Sequence, residues 1–217
     1  MQGLVVNYAT SGYLRGQERL RSSCESIGQA IACYGPRDNF TPHADWPYYF
    51  KIDSFRRASE RHHLLLWVDA SIVTTGQSLE PIFDYLASEG CLLTWQGWNN
   101  AQWCNDGSLA SFGFTRDEAE RQWQVRGGFL GLNLQHPAGK LLLEETARHR
   151  DDFRGRWENR DKTESQDPRC MGHRHDQSVF SLVAARHHLK ILRYDEHKWC
   201  CYDPNPQYLL NILGNPL

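Results

Sequence analysis

A run of five apolar residues, Leu-Leu-Leu-Trp-Val at positions 64–68, lies between the polar residues 61–63 and the carboxylate of Asp69. Five residues are too few for a free-standing helix, and a run without polar alternation indicates a strand buried on both faces. In an open α/β sheet, ligands bind beyond the carboxyl ends of the strands. Asp69 is therefore either a functional group at such an edge or an ordinary turn residue or helix cap.

Strand and helix patterns alternate on both sides of this run. We predict further strands over residues 4–8, 91–95, 127–133 and 189–194. We predict helices that start at residues 13, 78, 115, 137 and 177, a short one that ends near residue 61, and irregular loops over 35–39, 96–112 and 154–172. The first helix carries Leu20, Cys24, Ile27 and Ile31 on one face. The alternation predicts an α/β sandwich with a mainly parallel, twisted sheet flanked by helices.

Length and composition limit the class of protein. The 217 residues, 40% hydrophobic and 23% charged, suit one soluble domain over 1–217, with a tail from about residue 200 whose packing the sequence leaves open. A net charge of −2 with interspersed signs argues against nucleic acid as the main partner. No apolar run is long enough to span a membrane. The first seven residues lack the features of a signal peptide, and seven cysteines without regular spacing suit free thiols, so we expect a cytoplasmic protein.

Four segments fall at predicted strand ends or in the loops beyond them: residues 8–12, 69–71, 127–133 and 172–177. Together with the lysine of Tyr49-Phe50-Lys51, these segments, in this order, resemble the GT-A class of glycosyltransferases, which use nucleotide-diphosphate sugars. The resemblance covers roughly residues 4–193. It implies a GT-A-like fold and transfer of a hexose, from a UDP-sugar, to a hydroxyl acceptor such as a glycan.

The resemblance also implies a divalent metal, Mn²⁺ or Mg²⁺. In GT-A enzymes an Asp-x-Asp motif at a strand end holds the metal that bridges the donor diphosphate. Here the motif is Asp69-Ala70-Ser71, so the second carboxylate is replaced by a hydroxyl. We expect Asp69 and Ser71 to bind the metal more weakly than a carboxylate pair would. The alternative for Ser71 is a turn or cap without a metal.

The segment His175-Asp176-Gln177-Ser178 resembles the Asp-Gln of glycogenin-like retaining enzymes and the His-Asp-Glu-Ser of the blood-group transferases. In both, an acidic group lies near the anomeric carbon of the transferred sugar. An anion there would stabilise an oxocarbenium-like transition state, so Asp176 is the candidate catalytic residue. The alternative is that Asp176 caps the helix that follows.

By the same resemblance, the donor would be bound by a set of residues drawn from all these segments: Tyr8, Ala9, Thr10, Lys51, Asp69, Gly127, Gly128, His175 and Gln177. Lys51 could instead be a surface lysine without a role. The aromatic and amide residues around position 97 suit an acceptor saccharide, because flat rings stack on sugar faces while amides bond hydroxyls: Trp95, Gln96, Trp98 and Asn99. Alternatively, these residues do not bind a saccharide and only pack a long loop in place.

Two alternatives concern the site as a whole. Cys170, His173, His175 and the pair Cys200-Cys201 could form a structural zinc site, although their spacing matches no familiar zinc module. The altered Asp-x-Asp motif also leaves open a GT-A-like domain that binds sugar nucleotide or glycan without turnover. We further expect the charged loop 154–172 to be mobile and to close over the donor.

Overall fold

The computed structural model describes residues 3–201 and 205–214. Within these residues the strands are β1 (Leu4–Tyr8), β2 (Ile31–Tyr34), β3 (Leu64–Val68), β4 (Ile72–Thr74), β5 (Cys91–Leu92), β6 (Trp95–Asn99), β7 (Trp123–Val125), β8 (Phe129–Asn133), β9 (Cys200–Cys201) and β10 (Leu210–Ile212). The α-helices are α1 (Leu14–Glu25), α2 (Phe50–Ser59), α3 (Glu80–Glu89), α4 (Asn100–Trp103), α5 (Asp106–Ser111), α6 (Arg116–Glu120), α7 (Pro137–Arg148) and α8 (Asp176–Arg186).

The central sheet has five strands in the order β2-β1-β3-β8-β5. β1 pairs in parallel with both β2 and β3, whereas β8 is antiparallel to both β3 and β5. Four strands therefore point the same way and β8 alone is reversed. The predicted α/β class with a mainly parallel sheet is confirmed, and the reversed strand makes the sheet mixed.

The sheet separates two apolar clusters, which makes the fold a sandwich. Along β3, Leu65 and Trp67 face one cluster, while Leu64, Leu66 and Val68 face the other, because successive strand residues point to opposite faces. The first cluster also takes side chains from α2, α7 and α8, and the second from α1 and α3. All five residues of β3 are buried, as the unbroken apolar run predicts.

The end of the described chain packs back on the domain. β10 pairs in antiparallel fashion with β4, directly after the Asp69–Ser71 segment, and in parallel with β9. The amide of Leu213 donates a hydrogen bond to the carbonyl oxygen of Ser71 at 2.9 Å. The tail thus supports the loop that follows β3. Residues 202–204 and 215–217 of the predicted tail lie outside the described residues.

Several predicted elements were wrong. α1 ends at Glu25, and Ile31 begins β2, because Gly28 at φ +70° turns the chain away from the helix axis. The strand predicted over 189–194 is reduced to a single bridge between Thr94 and Leu192, since a 3-10 helix begins at residue 194.

The other corrections concern the segments beyond β5. Residues 96–112 form not a loop but β6, α4 and α5, with β6 held by pairing to β7. β5 ends at Leu92 and not at residue 95, and α6 ends at Glu120 and not near residue 124, where the helical pattern predicts its end. α7 ends at Arg148, and a 3-10 turn covers residues 150–153. Among the described residues, no helix combines the length and apolarity needed to cross a membrane.

Candidate functional site

The reversed direction of β8 brings its start to the edge where β3 ends. Val68 is paired with Phe129, so the next residues outward, Asp69 and Gly128, lie side by side. The Asp69 amide donates to the Gly128 carbonyl oxygen at 2.9 Å. A Cβ atom on Gly128 would lie 2.7 Å from Oδ2 of Asp69, so a side chain here would displace this carboxylate. The sheet register thus places a glycine pair beside the strand-end carboxylate.

Lys51 lies at the centre of a cluster with Asp69, Asp176 and Gly127, which we call the Lys51 corner. Its side chain is only 3% exposed. Its Nζ donates to the carbonyl oxygen of Gly127 at 2.7 Å and to Oδ2 of Asp176 at 2.6 Å. Oδ1 of Asp69 lies 3.6 Å from the same nitrogen. Burial favours the neutral amine, but the carboxylates of Asp176 and Asp69 outweigh it and raise the pKa of Lys51 above its ordinary value. The ammonium is therefore charged, and Lys51 is not the surface lysine of the alternative.

Asp176 is the first residue of α8 and is 4% exposed. Its carboxylate accepts the Lys51 hydrogen bond, and a Cβ atom on Gly127 would lie 3.0 Å from its Oδ2. The residue at the cap position is His175, at φ +52°, and no side chain caps the helix. The cap alternative for Asp176 is therefore wrong. The positive φ of His175, costly for a side chain of this size, turns the chain into the helix at this point.

Asp69 is the accessible carboxylate of the corner, with 41% of its side chain exposed. Its Oδ1 accepts a hydrogen bond from the Trp67 indole at 2.6 Å. It lines a cavity of about 150 Å³ together with a mostly aromatic set: Tyr8, Tyr13, Tyr48, Phe50, Lys51, Trp67, Ala70 and Ser71. The cavity has the flat walls and the few polar groups of a small-molecule site.

The cavity also bears on the predicted metal. Among the described residues, no cluster of three or more His, Cys, Asp or Glu side chains is arranged to hold a metal ion. Asp69 and Ser71 nevertheless line one cavity, and Mg²⁺ commonly binds through one or two carboxylates together with substrate phosphates and waters. The donor set therefore fits a metal that shares its ligands with a bound diphosphate, and does not fit a site made of protein ligands alone.

The zinc alternative has little support in the geometry. His173 is fully buried, its Nδ1 accepts from the Asn105 amide at 3.3 Å, and its Nε2 lies 2.8 Å from the Asp152 carbonyl oxygen. Both ring nitrogens are thus engaged with the backbone. Nδ1 of His175 is likewise 3.0 Å from the Phe153 carbonyl oxygen. These histidines hold loops against one another.

Other predicted site residues lie apart from the cavity lining. Ala9 is buried and donates its amide to the Tyr34 carbonyl oxygen, and the Thr10 carbonyl oxygen accepts from the Tyr13 amide. Gln177 donates to the side chain of Gln124 at 3.3 Å. The predicted acceptor residues Trp95, Gln96, Trp98 and Asn99 form β6, and the Asn99 side chain caps α4. That these residues contact a ligand remains a prediction.

Sequence reasoning missed several residues around the cavity. Tyr48 has φ +63°, stacks on His175 with ring centroids 5.6 Å apart, and lines the cavity. Burial raises the pKa of the Tyr48 phenol, and the nearby Asp176 carboxylate adds to the rise. Trp157 and Arg174 were also missed. The sequence signal that could have revealed them is Trp157, an aromatic residue inside the otherwise polar loop 154–172.

The loop 154–172 has no helix or strand, as predicted. The side chain of Asn159 lies at its centre, accepting from the Glu164 amide at 3.0 Å and donating to the Ser165 carbonyl oxygen at 2.8 Å. Arg169 bonds the carboxylates of Asp167, Asp117 and Glu120. The loop is thus internally cross-linked, and its closure over a ligand stays a prediction.

Comparison with known proteins gives matches in structure and none in sequence. No known protein family and no curated protein matches the sequence. Among solved structures, the bifunctional glycosyltransferase WbbM is similar over 93% of this chain, with a TM-score of 0.54 and 10% identity. The chain spans only 40% of the length of WbbM.

Two further structures match over almost the whole of both chains. A glycosyltransferase involved in glycosylation of the major capsid protein of PBCV-1 gives a TM-score of 0.52 at 12% identity, over 98% of this chain and 93% of its own. An active-site mutant of LgtC gives 0.51 at 12% identity, over 98% and 88%. The fold is that of GT-A-type glycosyltransferases. In this GT-A fold the Lys51 corner lies at the carboxyl edge of the sheet, where such folds bind ligands.

Proposed function

We propose that this protein is a metal-dependent glycosyltransferase that moves a hexose from a nucleotide-diphosphate sugar, with UDP as the nucleotide, to a hydroxyl of an acceptor glycan. The observation that carries the proposal is the convergence of Asp176, Lys51 and Asp69 at the edge of a GT-A sheet. Residues from α2, α8 and the end of β3, distant in the chain, meet there within hydrogen-bonding or ion-pairing distance. A buried, charged cluster of this kind beside a cavity is typical of a catalytic site.

The charges of the corner suit the chemistry. Two carboxylates face one ammonium, which leaves one net negative charge beside the cavity. An anion fixed in this way favours the positive charge that develops on the anomeric carbon as the glycosidic bond breaks. Because the Lys51 ammonium pairs with Asp176 and orients its carboxylate, the stabilising group needs little reorganisation in the transition state. The proposed role of Lys51 is therefore positioning.

Only part of the donor would occupy the aromatic cavity, because its volume of about 150 Å³ is below the roughly 300–1,000 Å³ of a full ligand pocket. The rings of Tyr8 and Tyr13 offer flat walls for a base or a sugar, and Tyr8 is itself fixed by stacking on Phe50 at 4.4 Å. Asp69 and Ser71 at the cavity wall would hold the metal, and the metal, when bound, would neutralise charge on the departing diphosphate. The missing second carboxylate predicts weak metal binding before the donor arrives.

A direct test measures release of nucleoside diphosphate from a panel of donors, with Mn²⁺, with Mg²⁺ and with EDTA, in the presence and absence of an acceptor mixture. We expect release from one donor, stimulated by metal. Tight donor binding without release would instead support a binding domain, the second candidate, which the altered Asp-x-Asp motif favours. Absence of both binding and release across the panel would reject the proposal.

Two variants test the metal ligands within the same experiment. Asp69→Ala should abolish Mn²⁺-dependent donor binding, whereas Ser71→Asp should tighten metal binding by adding a charged ligand. Asp84→Ala, on the exposed face of α3, is the matched control and should behave as the wild type. Unchanged donor affinity in Asp69→Ala would remove Asp69 from the site, and a looser metal titration in Ser71→Asp would remove Ser71.

A further inference from the structure

Arg174 lies between two tryptophan rings, two residues before Asp176. The central carbon of its guanidinium is 3.7 Å from the centre of the Trp103 ring and 3.7 Å from the centre of the Trp157 ring. Distances this short to both rings place the two indoles on opposite faces of the planar group. The faces of the cation are therefore covered, and only its edge, which carries the N–H donors, is left for other contacts.

The backbone builds this arrangement. The Arg174 amide donates to the Trp103 carbonyl oxygen at 3.2 Å and to Oγ of Ser178 at 2.9 Å. The amide of His173 donates to the Arg156 carbonyl oxygen at 2.8 Å, which holds the Trp157 segment alongside. A Cβ atom on Gly172 would collide with the Trp157 carbonyl oxygen, so this approach requires glycine. Backbone contacts thus hold the segments of Trp103, Arg174 and Trp157 against one another.

The guanidinium edge has no hydrogen bond or ion pair with any described residue, although Arg174 is partly buried. Tyr48 and Glu158 interact electrostatically with the guanidinium at longer range. Glu158 is itself paired with Arg160. Burial lowers the pKa of Arg174 from its ordinary value, but an arginine stays charged in proteins. A partly buried cation with unused donors carries a desolvation cost that an anionic ligand would offset.

The Arg174 stack lies beside the cavity and not in its lining. Trp157 lies 5.8 Å from His175 and 6.5 Å from Tyr48, between ring centres, so the stack borders the cavity. None of the three stacked residues lines that cavity. On its other side, Trp103 contacts Trp98, and both Trp98 and Trp157 expose more than two-fifths of their surface. The stack therefore connects the donor cavity to an exposed aromatic surface.

We propose that Arg174 binds an anionic group, a carboxylate or a phosphate, on the acceptor saccharide. The planar fork of a guanidinium matches either anion in a bidentate way, and the exposed Trp157 and Trp98 rings can take the neighbouring sugar faces. The inference rests on the proposed function, because it assigns a substrate class to the same site. It predicts that neutral saccharides are poor acceptors.

Binding of simple sugars tests this without knowledge of the natural acceptor. Glucuronate, glucose 6-phosphate and neutral glucose are titrated by calorimetry into the wild type, Arg174→Gln and Arg174→Lys. We expect the two anionic sugars to bind more tightly than glucose, and Arg174→Gln to weaken them by roughly ten- to a hundred-fold. Arg174→Lys keeps the charge but loses the fork, so it should fall between the two.

Arg150→Gln is the matched control, because Arg150 stacks on Trp46 at 3.6 Å, away from the cavity lining. It should bind all three sugars as the wild type does. Equal binding of glucose and glucuronate, or unchanged anion binding in a folded Arg174→Gln protein, would overturn the proposal. Should Arg174→Gln melt early, Arg174→Lys decides alone, and wild-type anion affinity there would count against a bidentate contact.

A competition experiment separates the acceptor from the donor as the source of the anion. UDP should not displace glucuronate, and Arg174→Gln should keep the donor affinity of the wild type. Displacement by UDP, together with loss of UDP affinity in the variant, would assign Arg174 to the donor and overturn the acceptor proposal. Release of nucleoside diphosphate to water needs no acceptor, so this proposal can fail while the proposed function stands.

Discussion

Lys51 and Arg174 are two cations near Tyr48, and the protein uses them in opposite ways. Lys51 is buried, donates to Asp176 and Gly127, and lies near Asp69, so its charge is satisfied within the protein. Arg174 is partly exposed and has ring faces for neighbours, with its N–H edge unused among the described residues. The difference indicates that Lys51 organises the site, whereas Arg174 is available to a ligand.

The largest expected effect comes from removing the satisfied cation. Lys51→Met leaves Asp176 buried without its partner, so the free energy of unfolding should fall by about 3–5 kcal/mol. Denaturant unfolding measures the loss, with Lys140→Met on the exposed surface of α7 as control. Arg174→Gln should cost much less. A loss below about 1 kcal/mol for Lys51→Met would mean that the Lys51 corner is not held together by its charges.

Asp176→Asn separates catalysis from binding. Because the carboxylate would stabilise charge that exists only in the transition state, kcat should fall by roughly 10²–10³-fold while donor affinity changes little. Since Lys51 also loses an anionic partner, the melting temperature should fall as well. Turnover at the wild-type rate in the folded variant would exclude Asp176 as the catalytic residue. Arg174→Gln should instead raise KM for an anionic acceptor and leave kcat nearly intact.

A smaller effect depends on pH and concerns the histidine that supports the Arg174 stack. Burial lowers the pKa of His173 from 6.5 to about 3. The unfolded chain therefore takes up a proton near pH 6.5 that the folded chain does not accept until about pH 3. The free energy of unfolding should fall as the pH is lowered between these values, by up to about 1.4 kcal/mol per pH unit, and be unaffected by His173 above them.

Unfolding measured from pH 7.5 to 4.5 checks this, with His173→Gln as the comparison. The variant should show a shallower dependence on pH, since one such proton is removed. Burial also lowers the pKa of His197, to about 4, so a residual slope of the same sign should remain. Identical slopes in the two proteins would show that the neutral form of His173 is not what stabilises the loop.

Local patterns predicted the parts of the fold that are held by local burial. The apolar run 64–68 is the central strand, and the site residues Lys51, Asp69 and Asp176, taken from three separate segments, do converge. Lys51 and Asp176 were selected by the resemblance to GT-A enzymes, which rests on the order of these segments. What neither supplied was that β8 is reversed, so that its first residues and not its last meet Asp69. Strand direction is set by long-range pairing, which periodicity does not record.

The missed elements share the same cause. Residues 95–99 form a strand only because residues 123–125 pair with them, and Gly97, at φ +99°, interrupts the alternation that would have revealed it. Ile31 has helical spacing from Cys24 and Ile27, yet pairs with Val5 of β1. Arg174 looks like one more charge in a polar loop. Its position between the rings of Trp103, seventy-odd residues earlier in the chain, and Trp157 distinguishes it.

The hydrogen bond between Leu213 and Ser71 affects the order in which parts of the protein fold. The loop after β3 is closed by a strand from the far end of the described chain, through the pairing of β10 with β4. Contacts between segments so distant in sequence require the largest loop closure and tend to form late in folding. We therefore expect the buried sheet to assemble first and the Ser71 side of the cavity to be completed late in folding.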